Sequence, residues 1–437
     1  MKTFTPTKYI LQNVATGREF GDTGWMLEDP EAQVPALVRT IYDARQLEVK
    51  DEALGLYKFA DWLPVRRMLA GSSAPVTYRS EALAKHLGLS NLYITFSGYY
   101  PVRGAQMTTC SFKETEAYSV CGRLAAEAGK VLVVASAGNT ARAFAHVCSD
   151  NGIPLLLSVP EANLDALWFE EPLNECVKLI SPAHGGDYFD AIHLSNLVVG
   201  GSARFLAEGG AKNVARRDGM GTTVLSATTH IGCIPDYYFQ AVGSGTGAIA
   251  AWEANLRFIE DGRFGTHKMK LMLSQNAPFL PMYHAWRASS RAMLPYDCEH
   301  ARRDAAEIDA KVLSNRQPPY GIAGGMFDAL CDTGGDMWAV TNDELRAAGA
   351  LFQELEGVDI NPAAAVAVAS LVAAVAAGAV ERDATIMLNI TGGGERHYKA
   401  DTERNTGRGL WHLKPSLVFP LDPSRDEVIA WVEELFV

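Results

Sequence analysis

The chain has 437 residues, with 39 lysines and arginines against 51 aspartates and glutamates and a formal net charge of −12. That balance argues against a nucleic-acid-binding protein, whose affinity rests on basic contacts to phosphate. With 48% hydrophobic and 21% charged residues, the composition is that of an ordinary globular protein large enough for two or three domains, and neither disordered nor fibrous.

The opening MKTFTPTKYILQNV lacks the apolar core and cleavage site of a secretory leader, so a cytoplasmic location is expected. Residues 1–75, with acidic and aromatic clusters and the Trp62-Leu63-Pro64 punctuation, read as an N-terminal accessory segment. Strand-like runs then alternate with helix-like ones, the pattern of an α/β fold with largely parallel sheets. The apolar-aromatic run Leu92–Tyr100 precedes Ser111-Phe112-Lys113-Glu114 and a helical stretch. Val131–Ser136 is a short β-branched run that meets Gly138-Asn139-Thr140, and the helical pattern beyond it closes on a glycine. Ile153–Pro160 is a second buried strand. Tyr237–Val242 runs into Gly243-Ser244-Gly245-Thr246-Gly247 and a helix ending at Gly262. Ala363–Val380 is apolar or small throughout and about long enough to span a bilayer by the ~18-residue rule, but it is alanine-rich and glycine-interrupted. A helix buried in a large domain is expected there, and no membrane span. Thr385–Ile390 runs into Thr391-Gly392-Gly393-Gly394. Three strand ends thus meet three small-residue loops, and ligands of open parallel sheets bind at the carboxyl ends of strands. No internal repeat is present.

Seven cysteines (Cys110, Cys121, Cys148, Cys176, Cys233, Cys298, Cys331) are odd in number, scattered and never spaced C-x-x-C, so buried reduced thiols are expected in place of a disulfide framework or a zinc site. There is no H-E-x-x-H, no G-x-S-x-G and no G-x-x-x-x-G-K, which leaves metalloprotease, serine hydrolase and NTPase readings without support. His146 and His284 lie in apolar surroundings and are expected to be satisfied core histidines. Glu114 and Glu116, two residues apart, do not share a helix face, so capping or surface roles are expected for them.

The glycine loop admits three readings. Gly243, Gly245 and Ala248 fit G-x-G-x-x-A, with Glu260 and Asp261 near the acidic position a dinucleotide site needs. The same loop can cradle a single phosphate, because glycines admit the ligand to the backbone and the helix start favours an anion. It can also be a tight turn that binds nothing. Lys113 bears on the choice: flanked by a short polar residue and an aromatic, it can be a surface lysine or a Schiff-base lysine whose partly desolvated amine joins a carbonyl cofactor.

Ser111–Glu114 (SFKE), Ser136–Thr140 (SAGNT), Gly243–Gly247 (GSGTG) and Thr391–Gly394 (TGGG), in that order and spacing, resemble fold-type II pyridoxal-phosphate enzymes of the threonine synthase group. Pro75–Ile94, Glu208–Thr222 and Pro235–Ala254 extend the resemblance, which is strongest to archaeal-type cysteate synthases and runs from about Trp62 onward. It implies a tryptophan synthase β-like fold of two doubly wound parallel-sheet domains, divided here as an accessory segment at 1–75, a lysine and substrate-carboxylate domain at 76–225 and a phosphate-binding domain at 226–437. It implies pyridoxal 5'-phosphate as cofactor, held by Lys113 as an imine, and an enzyme that works as a homodimer on a small amino acid and an anionic nucleophile. Ser136, Ala137, Gly138, Asn139 and Thr140 would hold the substrate carboxylate, and Asn139 would also bond the cofactor ring oxygen. Gly243, Ser244, Gly245, Thr246 and Gly247 would bind the cofactor phosphate, and Thr391 would face the pyridine nitrogen.

The implied reaction is β-replacement on O-phospho-L-serine by sulfite, giving L-cysteate. Its anions need basic partners, for which Arg103, Arg142, Lys212, Arg216 and Arg217 are candidates; adjacent Arg216 and Arg217 point in different directions, so at most one enters the site. Two departures bear on this. Where the archaeal relatives carry C-x-x-C-G-R-E, this chain reads Asn13-Val14-Ala15-Thr16-Gly17-Arg18-Glu19, so no metal is expected. Threonine synthases follow their lysine with Asp-Arg-Gly, whereas Glu114-Thr115-Glu116 stands here, which weakens homoserine phosphate as substrate. The alternatives are a threonine synthase-like elimination and replacement on another phosphorylated amino acid, a nicotinamide-dependent oxidoreductase resting on GSGTGA, and a silent binding protein on the same fold.

Overall fold

The computed structural model of the chain describes residues 4–125 and 129–437. Its apolar runs form two parallel sheets. One has five strands in the order Phe205–Ala207, Val131–Ala135, Leu155–Ser158, Val177–Pro182 and Leu417–Phe419, all parallel. The other has six, in the order Asp336–Val340, Lys270–Asn276, Tyr237–Ala241, Thr385–Ile390, Asn91–Phe96 and Val76–Arg79, and only the last of these runs antiparallel to its neighbour.

Strands covered on both faces read as continuous apolar runs, because no face is left for polar residues. Tyr237–Ala241 and Leu155–Ser158 are buried at every position. Successive side chains feed opposite cores. Tyr237 and Phe239 pack on one side of the six-stranded sheet with the alanine-rich helix Pro362–Ala376, and Tyr238 packs on the other with Ala248, Ile249 and Trp252. Leu132 and Val134 divide from Val131 and Val133 in the same way in the five-stranded sheet. The doubly wound architecture expected from the sequence is present, and the apolar stretch from Ala363 is an interior helix that starts after Asn361 with Pro362 in its first turn. No described helix is long and apolar enough to cross a membrane.

Sheet membership departs from the expected contiguous division at 75/76 and 225/226. Asn91–Phe96, assigned to the lysine domain, pairs in parallel along its whole length with Thr385–Ile390 of the other sheet, and Val76–Arg79 follows it as the edge strand. Leu417–Phe419, assigned to the second domain, pairs with Val177–Pro182. Burial explains both crossings. Leu92, Ile94 and Phe96 complete the core around Ile386, Leu388 and Ile390, and the terminal helix Arg425–Glu434 places Val428 and Val432 against Leu194 and Val198.

The accessory segment contributes a three-stranded antiparallel sheet of Glu19–Phe20, Tyr9–Asn13 and Val38–Tyr42. Asn13 Oδ1 accepts the N–H groups of Ala15 (2.9 Å) and Thr16 (3.3 Å), closing the Asn13–Glu19 turn with a side-chain amide. Thr40 and Tyr42 donate to buried Asp218 of the helix Val214–Ile231 at 2.7 and 2.6 Å, fastening this sheet to the body. All seven cysteines are free thiols, but the expected burial holds only for Cys110, Cys121 and Cys148; Cys176 and Cys233 are half-buried, and Cys298 and Cys331 lie exposed on surface helices.

Candidate active site

Lys113 opens the helix Lys113–Arg123, and the loop before it is stitched to the loop after Thr385–Ile390. Cys110, at a left-handed φ of 52°, takes the N–H of Gly393 on its carbonyl (3.1 Å); Phe112 N–H donates to Thr391 O (2.9 Å), and Ser111 bridges Gly392. This close approach explains the glycines: a Cβ on Gly392 would lie 2.4 Å from Asn361 Nδ2 and 2.7 Å from Cys110 O.

The strand Val131–Ala135 ends in the Ser136 loop. Ser136 Oγ accepts from Gly138 N (3.0 Å) and Ala141 N (3.1 Å), so this side chain shapes the loop, and Gly138 at φ 141° turns the chain into the helix Asn139–Asp150. The strand Tyr237–Ala241 ends in the glycine loop, which leads into the sixteen-residue helix Thr246–Asp261. Each odd glycine is pressed by a neighbour: a Cβ would stand 3.0 Å from Leu313 Cα at Gly243, 2.9 Å from Met326 Sδ at Gly245 and 2.6 Å from Gln240 Nε2 at Gly247. Ser244 and Thr246 share a hydroxyl hydrogen bond of 2.8 Å.

These segments converge. Lys113, Ser136, Ala137, Gly138, Asn139, Thr140, Gly243, Ser244, Gly245, Gly247, Thr391 and Arg216 line one cavity. Thr246 is buried just behind it in the first turn of its helix. Sequence reading missed Tyr188, Gln240, Asn361 and the segment 312–315, which line the same cavity. A polar Gln240 inside an apolar strand and the Asn361-Pro362 helix start were usable signals for two of them; Tyr188 and 312–315 had none.

Of the five basic candidates, Arg216 alone lines this cavity. Arg103 is exposed and stacks on Tyr78 at 4.6 Å, and Lys212 pairs with Glu28 at 2.7 Å on the surface. Arg217 is buried against Glu253 at 2.9 Å, so the adjacent arginines do diverge. Arg142 is buried too, donating to Thr109 O (3.1 and 2.9 Å) and Ala166 O (2.7 Å) and lying 4.1 Å over Trp168. It braces the loops on either side of the site.

The electrostatics centre on four groups. Lys113 Nζ lies 3.3 Å from Glu116 Oε2, Glu116 Oε1 lies 3.2 Å from Arg216 Nη2, and Arg216 Nη1 lies 2.6 Å from Glu208 Oε2. Burial pushes the Lys113 amine below its ordinary pKa, with Glu116 pulling the other way. Burial also works against charge on Arg216, but Glu116 and Glu208 together hold it above the usual guanidinium value. Glu208 is raised by burial against the pull of Arg216.

Two expectations from the sequence fail. Glu114 and Glu116 are neither caps nor surface groups but interior, because the helix Lys113–Arg123 is packed on every side and two diverging directions both lead inward. His284 is exposed, since its helix turns Met282 and Ala285 to the core instead. His146 is half-buried and lies 3.6 Å from Asp150.

The dinucleotide reading fails on distance. Glu260 pairs with Arg45 (3.0 Å) and Asp261 accepts from Leu47 N (2.9 Å) at the far end of the helix. At 1.5 Å per residue that is about 22 Å from the glycine loop. A cavity with a partly desolvated amine, a glycine cradle at a helix start and a hydroxyl at Thr391 fits the pyridoxal phosphate that the resemblance implies.

Comparison with known proteins agrees. The chain belongs to the pyridoxal-phosphate dependent enzyme family, whose model matches residues 76–392. It is therefore an enzyme that uses this cofactor. More particularly, it is similar to cysteate synthases: 49% identical to that of Methanosarcina mazei, over 90% of this chain and 94% of the relative. The cysteate synthase of Methanoculleus marisnigri is 45% identical over 98% of both chains. Among solved structures, maize serine racemase superposes with a TM-score of 0.55 at 14% identity, covering 76% of this chain and 92% of that one. Threonine deaminase isoform 2 of Solanum lycopersicum gives 0.52 at 18% identity, covering 76% and 88%. These two show the shared fold.

Proposed function

We propose that the enzyme converts O-phospho-L-serine and sulfite into L-cysteate and phosphate. The observation that carries this reading is the convergence of Lys113, the Ser136–Thr140 loop, the Gly243–Gly247 loop and Thr391 on one cavity, in a chain whose relatives are cysteate synthases.

The bound cofactor supplies an electron sink for the substrate α-carbon. Lys113 Nζ would hold the cofactor and, when free of it, would take the substrate α-proton; its burial favours the neutral amine that this task needs. The Ser136–Thr140 loop, at the start of the helix Asn139–Asp150, orients the substrate carboxylate. Gly243–Gly247 offers backbone N–H groups to the cofactor phosphate at the start of Thr246–Asp261, with Ser244 and Thr246 as hydroxyl donors. Arg216 is the cation for the substrate's phosphate, and its buried Nε has no hydrogen-bond partner among the described residues. Thr391, a neutral hydroxyl on the cavity wall, would sit by the cofactor's ring nitrogen and would leave the ring less electron-withdrawing than an ionised aspartate would, which favours loss of a β-substituent. In the net exchange the β-carbon–oxygen bond breaks with its electron pair leaving on phosphate, and the sulfite sulfur lone pair makes the new carbon–sulfur bond. The reading also takes the enzyme to be a cytoplasmic homodimer, for which light scattering should give twice 47.3 kDa.

The test is the visible spectrum of the purified protein on adding O-phospho-L-serine and then sulfite. A yellow protein whose absorbance shifts with phosphoserine and returns with sulfite, releasing phosphate and cysteate, is expected, and Lys113→Ala should show none of it. A yellow protein unmoved by phosphoserine would overturn the substrate.

A further inference from the structure

Glu116 stands one helical turn beyond Lys113, and its side chain is wholly buried. Its Oε2 accepts from Lys113 Nζ at 3.3 Å, while its Oε1 lies 3.2 Å from Arg216 Nη2 without a hydrogen-bond partner among the described residues. Arg216 is fixed from the other side by Glu208, which itself accepts from Gly210 N at 3.0 Å. Among the described residues, Tyr188, on the same cavity wall, is the remaining titratable group facing this cluster. The geometry is clamped by the backbone: a Cβ on Gly219 of Val214–Ile231 would meet Thr115 O at 2.5 Å, so the helices carrying Glu116 and Arg216 touch directly. Burying a carboxylate is costly unless it serves its neighbours. Here it stands between two cations that would otherwise face each other.

We infer that Glu116 is a positioning residue for cofactor capture: it anchors Lys113 Nζ as the ammonium and receives the ammonium proton when the amine attacks. The inference rests on the reading of Lys113 as the cofactor lysine. The proton would pass from Nζ to a Glu116 oxygen, the freed lone pair would form the bond to the aldehyde carbon, and the aldehyde oxygen would leave as water with the two protons that remain on the amine, giving a carbon–nitrogen double bond. The opposing influences on Lys113 agree with this. Burial and Arg216 favour the neutral amine, whereas Glu116 and Glu208 favour the ammonium. An opposite charge this close favours the charged form by about one pH unit or more.

The experiment follows capture of pyridoxal phosphate by the cofactor-stripped full chain. The rate at which the lysine-bound absorbance appears is measured against pH for wild type, E116Q, E116D and K113A. With E116Q the midpoint of the rate profile should fall by about one pH unit, giving about tenfold faster capture on the acid side. E116D, which keeps the charge but draws it back from Nζ, should fall between E116Q and wild type, and it carries the test alone if E116Q does not fold. A folded E116Q or E116D with an unmoved midpoint, whatever its plateau, overturns the inference. If wild type gives no lysine-bound absorbance, or K113A gives the same signal, the assignment of Lys113 is what fails.

Discussion

The backbone N–H of Phe112 donates to the carbonyl of Thr391 at 2.9 Å. Through this bond the residue that precedes Lys113, the lysine proposed to hold the cofactor, is registered against the residue proposed to face the ring nitrogen. Gly393 N to Cys110 O (3.1 Å) and Asn361 N to Gly392 O (3.0 Å) extend the tie to the start of the alanine-rich helix. Three elements of the site therefore shift together or not at all.

That coupling makes Gly392 a sensitive position. In Gly392→Ala the new Cβ would stand 2.4 Å from Asn361 Nδ2 and 2.7 Å from the Cys110 carbonyl, and the backbone on that side cannot withdraw without moving Lys113. Overpacking of this kind costs ~1–3 kcal/mol. Urea unfolding should show that loss, and dialysis should show faster release of cofactor. Gly200, an exposed helical glycine with open space at its Cβ, is the control. Gly200→Ala should be neutral or stabilising by up to ~1 kcal/mol.

Adjacent arginines should separate stability from binding. Arg217 and Glu253 are buried together, so Arg217→Met leaves a carboxylate without its partner and should cost ~3–5 kcal/mol in denaturant unfolding. Arg216→Lys keeps the charge beside Glu116 and Glu208 but loses the forked donor. It should lower kcat/KM for phosphoserine by about 10- to 100-fold, the worth of one charged hydrogen bond, with a smaller effect on unfolding.

Arg142 should behave as a brace and not as a substrate cation. Its guanidinium spends its donors on Thr109 O, Ala166 O and Asn139 Oδ1, reaches Glu395 at 3.4 Å and stacks on Trp168. Arg142→Lys cannot make the same set of bonds. It should lower the melting temperature and turnover together while leaving KM for phosphoserine nearly unchanged, as steady-state kinetics would show.

What the sequence made legible was local. Ser136–Thr140, Gly243–Gly247 and Thr391–Gly394 each sit at the end of a strand, and short-range signals suffice to find a strand, a tight turn and a helix start. Sheet membership was not legible, because the partner of Asn91–Phe96 lies at Thr385–Ile390 and nothing in either run names the other. Glu116 was misread for a related reason. Helix periodicity separates Glu114 from Glu116, but whether a face meets solvent depends on Val214–Ile231 packing against it, which only the fold supplies. His284 failed in the opposite sense, with apolar neighbours in sequence that turn inward without it.

Glu114 offers a test by pH. Its side chain is buried, and its Oε2 accepts from Thr109 N at 3.2 Å and Thr109 Oγ1 at 2.9 Å. Burial raises its pKa above the ordinary 4.5, with His146 and the Thr109 hydrogen bonds pulling it down. A carboxyl whose folded pKa is raised binds more protons in the folded state. Its contribution is fully present below the unfolded value and is lost as pH climbs through the folded one. Wild type should therefore lose stability relative to Glu114→Gln as pH rises above about 4.5. The glutamine oxygen can accept the same two bonds without a charge to desolvate, so the variant should be as stable as wild type or more so at neutral pH. Urea unfolding of both proteins from pH 5 to pH 8 checks this: the gap in favour of the variant should widen with pH and then level off, and a gap that narrows would assign Glu114 a stabilising charge instead.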